Sequence, residues 1–336
     1  MVGAARRQRR ALLTGLTGQD GSFLAELLLE EGYAVTGMVR EAPGADLGPS
    51  EHLRGEIQLI QGDLLAPASL VAAVTDVGAD ELYHLAAPSF APDSWQHPAV
   101  TLAAIAGATA TLLEAVRDHS PQTRVFVAAS GAMFGAAPES PQTETTACRP
   151  ETPYATAKLA AHQLVGQLRA HHGVFACSGI LYNHESERRP EQFVPRKIVR
   201  AAAAIKLGLA DTVSLGDLNA SRDWSFAGDV IRGAWLMLQQ DRAEDYILAS
   251  GKSHTVCELA EIAFAHVGLD AHDHIEVDPR LLRSSEPTPP VGDPSRARER
   301  LGWAPTLSFE ELIHRMVDAD LEALQEDVPA GGPHDA

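Results

Sequence analysis

The stretch that most limits how this chain can fold is residues 11–30, ALLTGLTGQDGSFLAELLLE. The apolar triplet Ala11-Leu12-Leu13 reads as a short buried strand that runs into three glycines, Gly15, Gly18 and Gly21. Apolar residues at Phe23, Leu24, Leu27 and Leu28 then follow with helical spacing. Strand, glycine turn and helix together suit a diphosphate. The glycines permit a tight turn and close backbone approach, and the helix N-terminus offers unpaired N–H groups and a partial positive charge. The spacing is GxxGxxG, and the same residues also satisfy a helix-entry turn with no ligand.

Further strands are expected at residues 33–39, 57–61, 82–87, 125–128 and 174–181, alternating with helical patterns. This alternation predicts an α/β fold, a Rossmann-type doubly wound parallel sheet. Ligands in such sheets sit beyond the C-terminal strand ends. Gly15, Asp63, Ala86 and Ser130 all fall there. Asp63 either accepts from an adenine amino group or caps the helix beginning near Pro67. The small residues after Leu85, Ala86 and Ala87, let a cofactor lie against the backbone. Arg40 closes the second strand where an acidic residue would favour NAD. An arginine suits the 2′-phosphate of NADP, so NADP is expected, with NAD as the alternative.

Residues 152–158, TPYATAK, open a helix with Pro153 in its first turn. Tyr154 and Lys158 are four apart and share a face. An ammonium beside a phenol favours phenolate and lowers the Tyr pKa from about 10, and a positive nicotinamide would lower it further. Tyr154 is then a candidate base for a sugar hydroxyl.

The formal net charge of -18 excludes general nucleic-acid or membrane-surface binding. An anionic substrate therefore needs a local basic cluster. Residues 183–206 supply one, with six Lys or Arg against three Glu. Guanidinium and ammonium groups there suit a diphosphate, although salt bridges are the competing use for Arg188, Arg189 and Arg200. Three scattered cysteines without metal or disulfide spacing fit a reducing cytoplasm, and no metal site is expected. No apolar run reads as a membrane span, and the basic start MVGAARRQRR reads as a frayed arm. The division expected is a dinucleotide-binding domain at 9–182 with return segments near 226–255. A smaller α/β substrate lobe takes 183–225 and 256–324, and tails lie at 1–8 and 325–336.

These residues resemble the extended short-chain dehydrogenase/reductases, and within them GDP-mannose 4,6-dehydratase. TGLTGQDGSFLAELLLEEGY, HLAAPSF, PQTETT, PYATAK, LYNHESERRPEQFVPRKI, SLGDLNASRDW and GDPSRARERLGW are all similar to segments of that family. The resemblance implies that Gly15, Gly18, Gln19, Asp20, Gly21, Arg40, Asp63, Leu64, Leu85, Ala86 and Ala87 bind the cofactor together with Tyr154 and Lys158. It implies Tyr154 as base, Lys158 as its partner and Ser130 as the hydroxyl that polarises the sugar oxygen, where the family normally has Thr. Asn183, Lys197, Arg222, Arg283 and Glu286 would hold the GDP part, with Ser89 and Val194 beside the substrate. A homodimer or homotetramer is implied.

Two departures bear on function. The family reads S-T-S-E-L-Y-G where this chain has Ala129-Ser130-Gly131-Ala132-Met133-Phe134-Gly135, so the catalytic Glu is Ala132. The loop after Arg40 also lacks the family's second Arg and serine-rich stretch, which leaves cofactor choice and tetramer assembly open. Oxidation at sugar C4 does not need the Glu. Elimination of water does, and losing a positioned acid/base costs roughly 10²–10⁴-fold. The expectation is therefore C4 oxidation and re-reduction of a GDP-hexose, giving net C4 epimerisation. The alternatives are a 4,6-dehydratase and an inert GDP-sugar-binding homologue.

Overall fold

Strand β1 (Arg10–Thr14) sends Ala11 and Leu13 to one face of a sheet and Leu12 to the other, so both faces need cover. The computed structural model describes residues 7–42, 44–281 and 290–327. In it the chain continues through α1 (Gln19–Glu30), β2 (Ala34–Val39), β3 (Gln58–Gln61), α2 (Pro67–Val77) and β4 (Glu81–His84). Next come α3 (Pro98–Leu102), α4 (Ala108–His119), β5 (Arg124–Ser130), α5 (Pro153–His172) and β6 (Ala176–Leu181).

After β6 the elements shorten. They are β7 (Asn183–Glu185), α6 (Val194–Lys206), β8 (Val213–Leu215), β9 (Ser221–Arg222) and β10 (Trp224–Phe226). Then follow α7 (Ala227–Leu238), β11 (Tyr246–Leu248), β12 (His254–Thr255), α8 (Val256–His266), α9 (Ala271–His274) and β13 (Ile275–Val277). The described chain ends with α10 (Ser295–Leu301) and α11 (Phe309–Asp327).

Seven strands form one sheet in the order β11-β6-β5-β4-β1-β2-β3, and every pairing is parallel. α1 and α7 cover one face through Leu24, Leu28, Val230 and Met237. α2, α4 and α5 cover the other through Leu70, Val74, Leu112 and Val165. Each fully buried Leu contributes roughly 1.5–3 kcal/mol. This is the doubly wound α/β fold the strand–helix alternation predicts. The chain runs outward from β1 to β3, then returns to β4 and runs the other way. The switch therefore lies between β1 and β4, where open sheets of this kind bind ligands.

A second apolar core gathers Ile198, Val199 and Ala202 of α6, Leu259 and Phe264 of α8, and Leu312 and Met316 of α11. β8 pairs with β13, and β10 with β7, beside it. Thus α6 and β7, just past the end of β6, stand over the carboxyl edge of the sheet.

Three sequence expectations change. Residues 325–327 belong to α11 rather than to a tail. Arg7 pairs with Asp80, and Arg9 reaches Glu81 at 3.3 Å and lies over the Tyr33 ring, so the described part of the basic arm is anchored. Pro98–His119 is long and apolar enough to cross a membrane by length and composition, and over half of that window is buried. Its residues Leu112, Leu113 and Val116 pack under the sheet, which is how a core helix comes to pass the same test.

Candidate active site

Gly15 has φ +83°, and a Cβ there would come within 2.7 Å of Ala86 N, so the turn packs directly on the segment after β4. A Cβ on Gly21 would lie 2.1 Å from Gly15 O. Gly18 differs: a Cβ there meets nothing closer than Gly15 O at 3.5 Å, an ordinary contact. It is exposed and is the N-cap of α1, with no side chain capping the helix. Packing requires glycine at 15 and 21, whereas at 18 the open face suits a close-lying diphosphate. Gly18→Ala should therefore keep the wild-type melting temperature while weakening dinucleotide binding at least about tenfold. Gly21→Ala should lower stability itself. Thermal melts and cofactor titration on the pair separate the two roles.

The other residues expected at the cofactor line the same edge. Arg40 is exposed one residue past β2. Asp63, past β3, is also exposed; its Oδ1 accepts from Leu65 N at 2.8 Å, so it forms an Asx turn and does not cap α2, whose N-cap is Ala66. Leu64, Leu85, Ala86 and Ala87 are half-buried at the strand ends. β4 stops at His84, so Leu85-Ala86-Ala87 is loop. Ser50 Oγ donates to Leu16 O at 2.7 Å, folding the segment after β2 back onto the glycine turn.

Gln19 and Asp20 turn their side chains toward β7 rather than outward. Gln19 Nε2 donates to His184 O at 3.2 Å, and Ser186 Oγ donates to Gln19 Oε1 at 2.8 Å. His184 Nδ1 lies 2.7 Å from Tyr182 O, and Nε2 lies 2.9 Å from Asp20 Oδ2. Neither partner has a proton to give, so both ring nitrogens donate and His184 is an imidazolium. Burial alone would depress His184, but the charge and hydrogen bond of Asp20 outweigh it and hold the imidazole above its usual range. Burial likewise opposes charge on Asp20, and His184 overrides it to hold the carboxyl far below its usual range. Nothing in the sequence announces this pair, because its members are 164 residues apart.

Thr152 caps α5, accepting from Ala155 N at 3.1 Å, and Pro153 occupies the first turn. This sets Tyr154 and Lys158 on one face. Lys158 Nζ donates to Ala128 O at 2.7 Å and lies 5.8 Å from the centre of the Tyr154 ring. Ser130, the last residue of β5, accepts from Ala132 N at 3.2 Å and hydrogen-bonds the Tyr154 phenol. Burial pushes Lys158 down to about 8. Burial also raises Tyr154, while its bond to Ser130 opposes the rise. The spacing to Lys158 suggests a lowered phenol, but desolvation of the phenolate outweighs the neighbouring groups and holds Tyr154 above its usual range.

The basic cluster is largely consumed within the protein. Arg188 bridges to Glu26 at 2.8 Å and covers the Phe23 ring. Arg189 faces Glu185 at 3.3 Å, Arg196 pairs with buried Asp320, and Arg200 bridges to Glu191 at 2.9 Å. Glu26 of α1 and Asp320 of α11, distant in sequence, claim Arg188 and Arg196, whereas Arg189 and Arg200 find the local partners Glu185 and Glu191. Lys197 instead donates to the Ser214 carbonyl, and Val194 is 41% exposed at the start of α6, whose N-cap Phe193 offers no side-chain cap. Asn183 opens β7, exposed, and Ser89 is exposed in the loop after β4. Arg222 lies on β9, donating to Ser221 O at 2.7 Å. Arg283 and Glu286 lie outside the described residues.

Asp223 was not anticipated. It is fully buried, and its carboxylate accepts from Ser250 N and Oγ at 2.8 and 2.6 Å, Gly251 N at 3.0 Å and Gly292 N at 3.2 Å. It ties β9 and β10 to the chain that follows residues 282–289. Asp223→Asn would turn an amide NH₂ onto two of these four donors, or leave them unmet. A loss of roughly 2–4 kcal/mol in chemical denaturation is expected.

A wholly parallel sheet in this order, an open glycine turn at its switch point and a Tyr/Lys pair on the adjoining helix define an NAD(P)-dependent enzyme of the short-chain dehydrogenase/reductase type. The family profile described as GDP-mannose 4,6 dehydratase matches residues 12–316. GDP-mannose 4,6 dehydratase 1 of Arabidopsis thaliana is 44% identical, over 93% of this chain and 90% of that protein. The GDP-mannose 4,6-dehydratase of Yersinia enterocolitica is 39% identical, over 94% of each. The solved structure of RMD from Pseudomonas aeruginosa, complexed with NADPH, superposes with a TM-score of 0.79 at 25% identity, over 94% of this chain and 100% of that one. The chain belongs to the GDP-mannose 4,6-dehydratase family and is an NAD(P)-dependent nucleotide-sugar epimerase/dehydratase.

Proposed function

We propose that this enzyme oxidises C4 of a GDP-hexose of the mannose type and reduces it again without losing water, so that the net reaction inverts C4. The observation that carries this is Ala132. It stands exposed on the turn Gly131–Phe134, its N–H bonded to Ser130, at the position to which the sequence resemblance assigns the family's catalytic Glu. Among the described residues, no carboxylate is hydrogen-bonded to Ser130, Ala132 or Tyr154.

Gly15, Gly18 and Gly21 would hold the dinucleotide diphosphate over the N-terminus of α1, with Asp63 at the adenine and Arg40 at a 2′-phosphate, favouring NADP over NAD. The nicotinamide, when bound, supplies a hydride acceptor and a positive charge. Tyr154 takes the C4 hydroxyl proton as the C4 hydride leaves and the ketone forms. Ser130 donates to the sugar oxygen, and Lys158 favours the phenolate. On return, Tyr154 gives the proton back while hydride reaches the opposite face of C4. Asn183, Lys197 and Arg222 would hold the GDP part with Arg283 and Glu286, and Ser89 and Val194 would lie beside the substrate. In this reading residues 9–182 with the return near 226–255 carry the cofactor, and 183–225 with 256–324 carry the nucleotide sugar. The enzyme works in the cytoplasm as a homodimer or homotetramer.

A second reading, 4,6-dehydration, is favoured by the relatives' identity across nearly the whole chain. Mass spectrometry and NMR of GDP-mannose incubated with the protein and NADP decide between them. A product of equal mass with C4 inverted supports epimerisation, and loss of one water overturns it. Binding without hydride transfer would support an inert homologue.

A further inference from the structure

Phe90 and Phe193 meet edge to face, with ring centres 5.6 Å apart and planes at 89°. One belongs to the loop after β4 and the other is the N-cap of α6, so the contact joins the sheet to the second core. Three observations set it beside the reacting centre. Ala87, three residues before Phe90, packs in the same small cluster as Tyr154. The turn Ala91–Trp95 that follows Phe90 rests on α5. The Arg189 guanidinium lies 3.7 Å over the Phe193 ring, and its charge reaches the Tyr154 phenol. Both rings are only half-buried, so neither serves as core. Phe193 also directly precedes the first turn of α6, which no side chain caps.

We infer that Phe90 and Phe193 form a latch across the mouth of the cleft, controlling the escape of the bound nucleotide sugar and its 4-keto form. The assignment of that ligand rests on the function proposed above. A redox-neutral enzyme needs such a device. Once hydride has left C4, loss of the ketone strands the cofactor in its reduced form, because no second substrate arrives to reoxidise it. An edge-to-face pair is weak enough to open every turnover, and its removal should shift the opening equilibrium by about 2- to 10-fold.

The test uses the full protein with cofactor and GDP, comparing Phe90→Ala with Phe90→Tyr, which keeps the ring. Amide exchange is read in Ala91–Trp95 and in the first turn of α6. In Phe90→Ala both segments should exchange about 2- to 10-fold faster, while Phe90→Tyr matches the parent. With GDP-mannose, Phe90→Ala should also accumulate reduced nicotinamide and free keto sugar. Unchanged exchange at α6 overturns the latch, because the two sides would then move independently. A parent protein that shows coupled exchange but never reduces its cofactor overturns the C4-oxidation reading and leaves the latch supported.

Discussion

Ala132→Glu is expected to convert a product of unchanged mass into one lighter by one water. The 4-ketone acidifies the C5 proton in either enzyme. What elimination further requires is one group that removes that proton and then protonates the departing C6 oxygen, and a methyl side chain does neither. Restoring a positioned acid/base should raise the elimination rate roughly 10²–10⁴-fold, about 3–5 kcal/mol of barrier. The position tolerates the change: Ala132 is exposed on its turn, and its structural role is the backbone N–H donated to Ser130, which any residue but proline supplies. Mass spectrometry of the sugar nucleotide, with solvent deuterium read at C5, reports the result. If the variant oxidises C4 but never dehydrates, Ala132 is not what separates this chain from its dehydratase relatives.

Much of this was legible in the sequence because it depends on local patterns. The run from Ala11 to Leu28 specifies strand, turn and helix within one window, and the structure follows it closely. Pro153, Tyr154 and Lys158 read as one helix face for the same reason. What escaped depends on pairing across the fold. Among the six basic residues at 183–206, Arg188 and Arg196 looked available for a ligand because their carboxylate partners, Glu26 and Asp320, lie far away in the chain. His184 gave no sign of its charge until Asp20 came to 2.9 Å. Asp223 reads as one acid among many, and its importance lies in donors from residues 250, 251 and 292. The Tyr154 pKa failed for a related reason: spacing reports the neighbouring charge but not the desolvation around it.

That desolvation yields the second large effect. Burial pushes Lys158 down to about 8 and holds the phenol above its ordinary range, an order unsuited to a base that must be phenolate near neutrality. Binding of the oxidised cofactor should reverse the order, and the change can be seen directly. The chain has five tyrosines, and the other four, Tyr33, Tyr83, Tyr182 and Tyr246, are all pushed upward by burial, Tyr246 to about 12. Any tyrosinate absorbance that appears below about pH 9 on adding NADP is therefore assignable to Tyr154. Tyr154→Phe should abolish that signal and lower the rate of C4 oxidation roughly 10²–10⁴-fold. Lys158→Met should move the tyrosinate transition upward by about 1–3 units. In the parent enzyme the rate should rise with pH as Tyr154 ionises, then fall as Lys158 loses its charge. If the oxidised cofactor induces no tyrosinate below about pH 9, or Tyr154→Phe keeps the parent's oxidation rate, the base is another group and Tyr154 only positions the sugar.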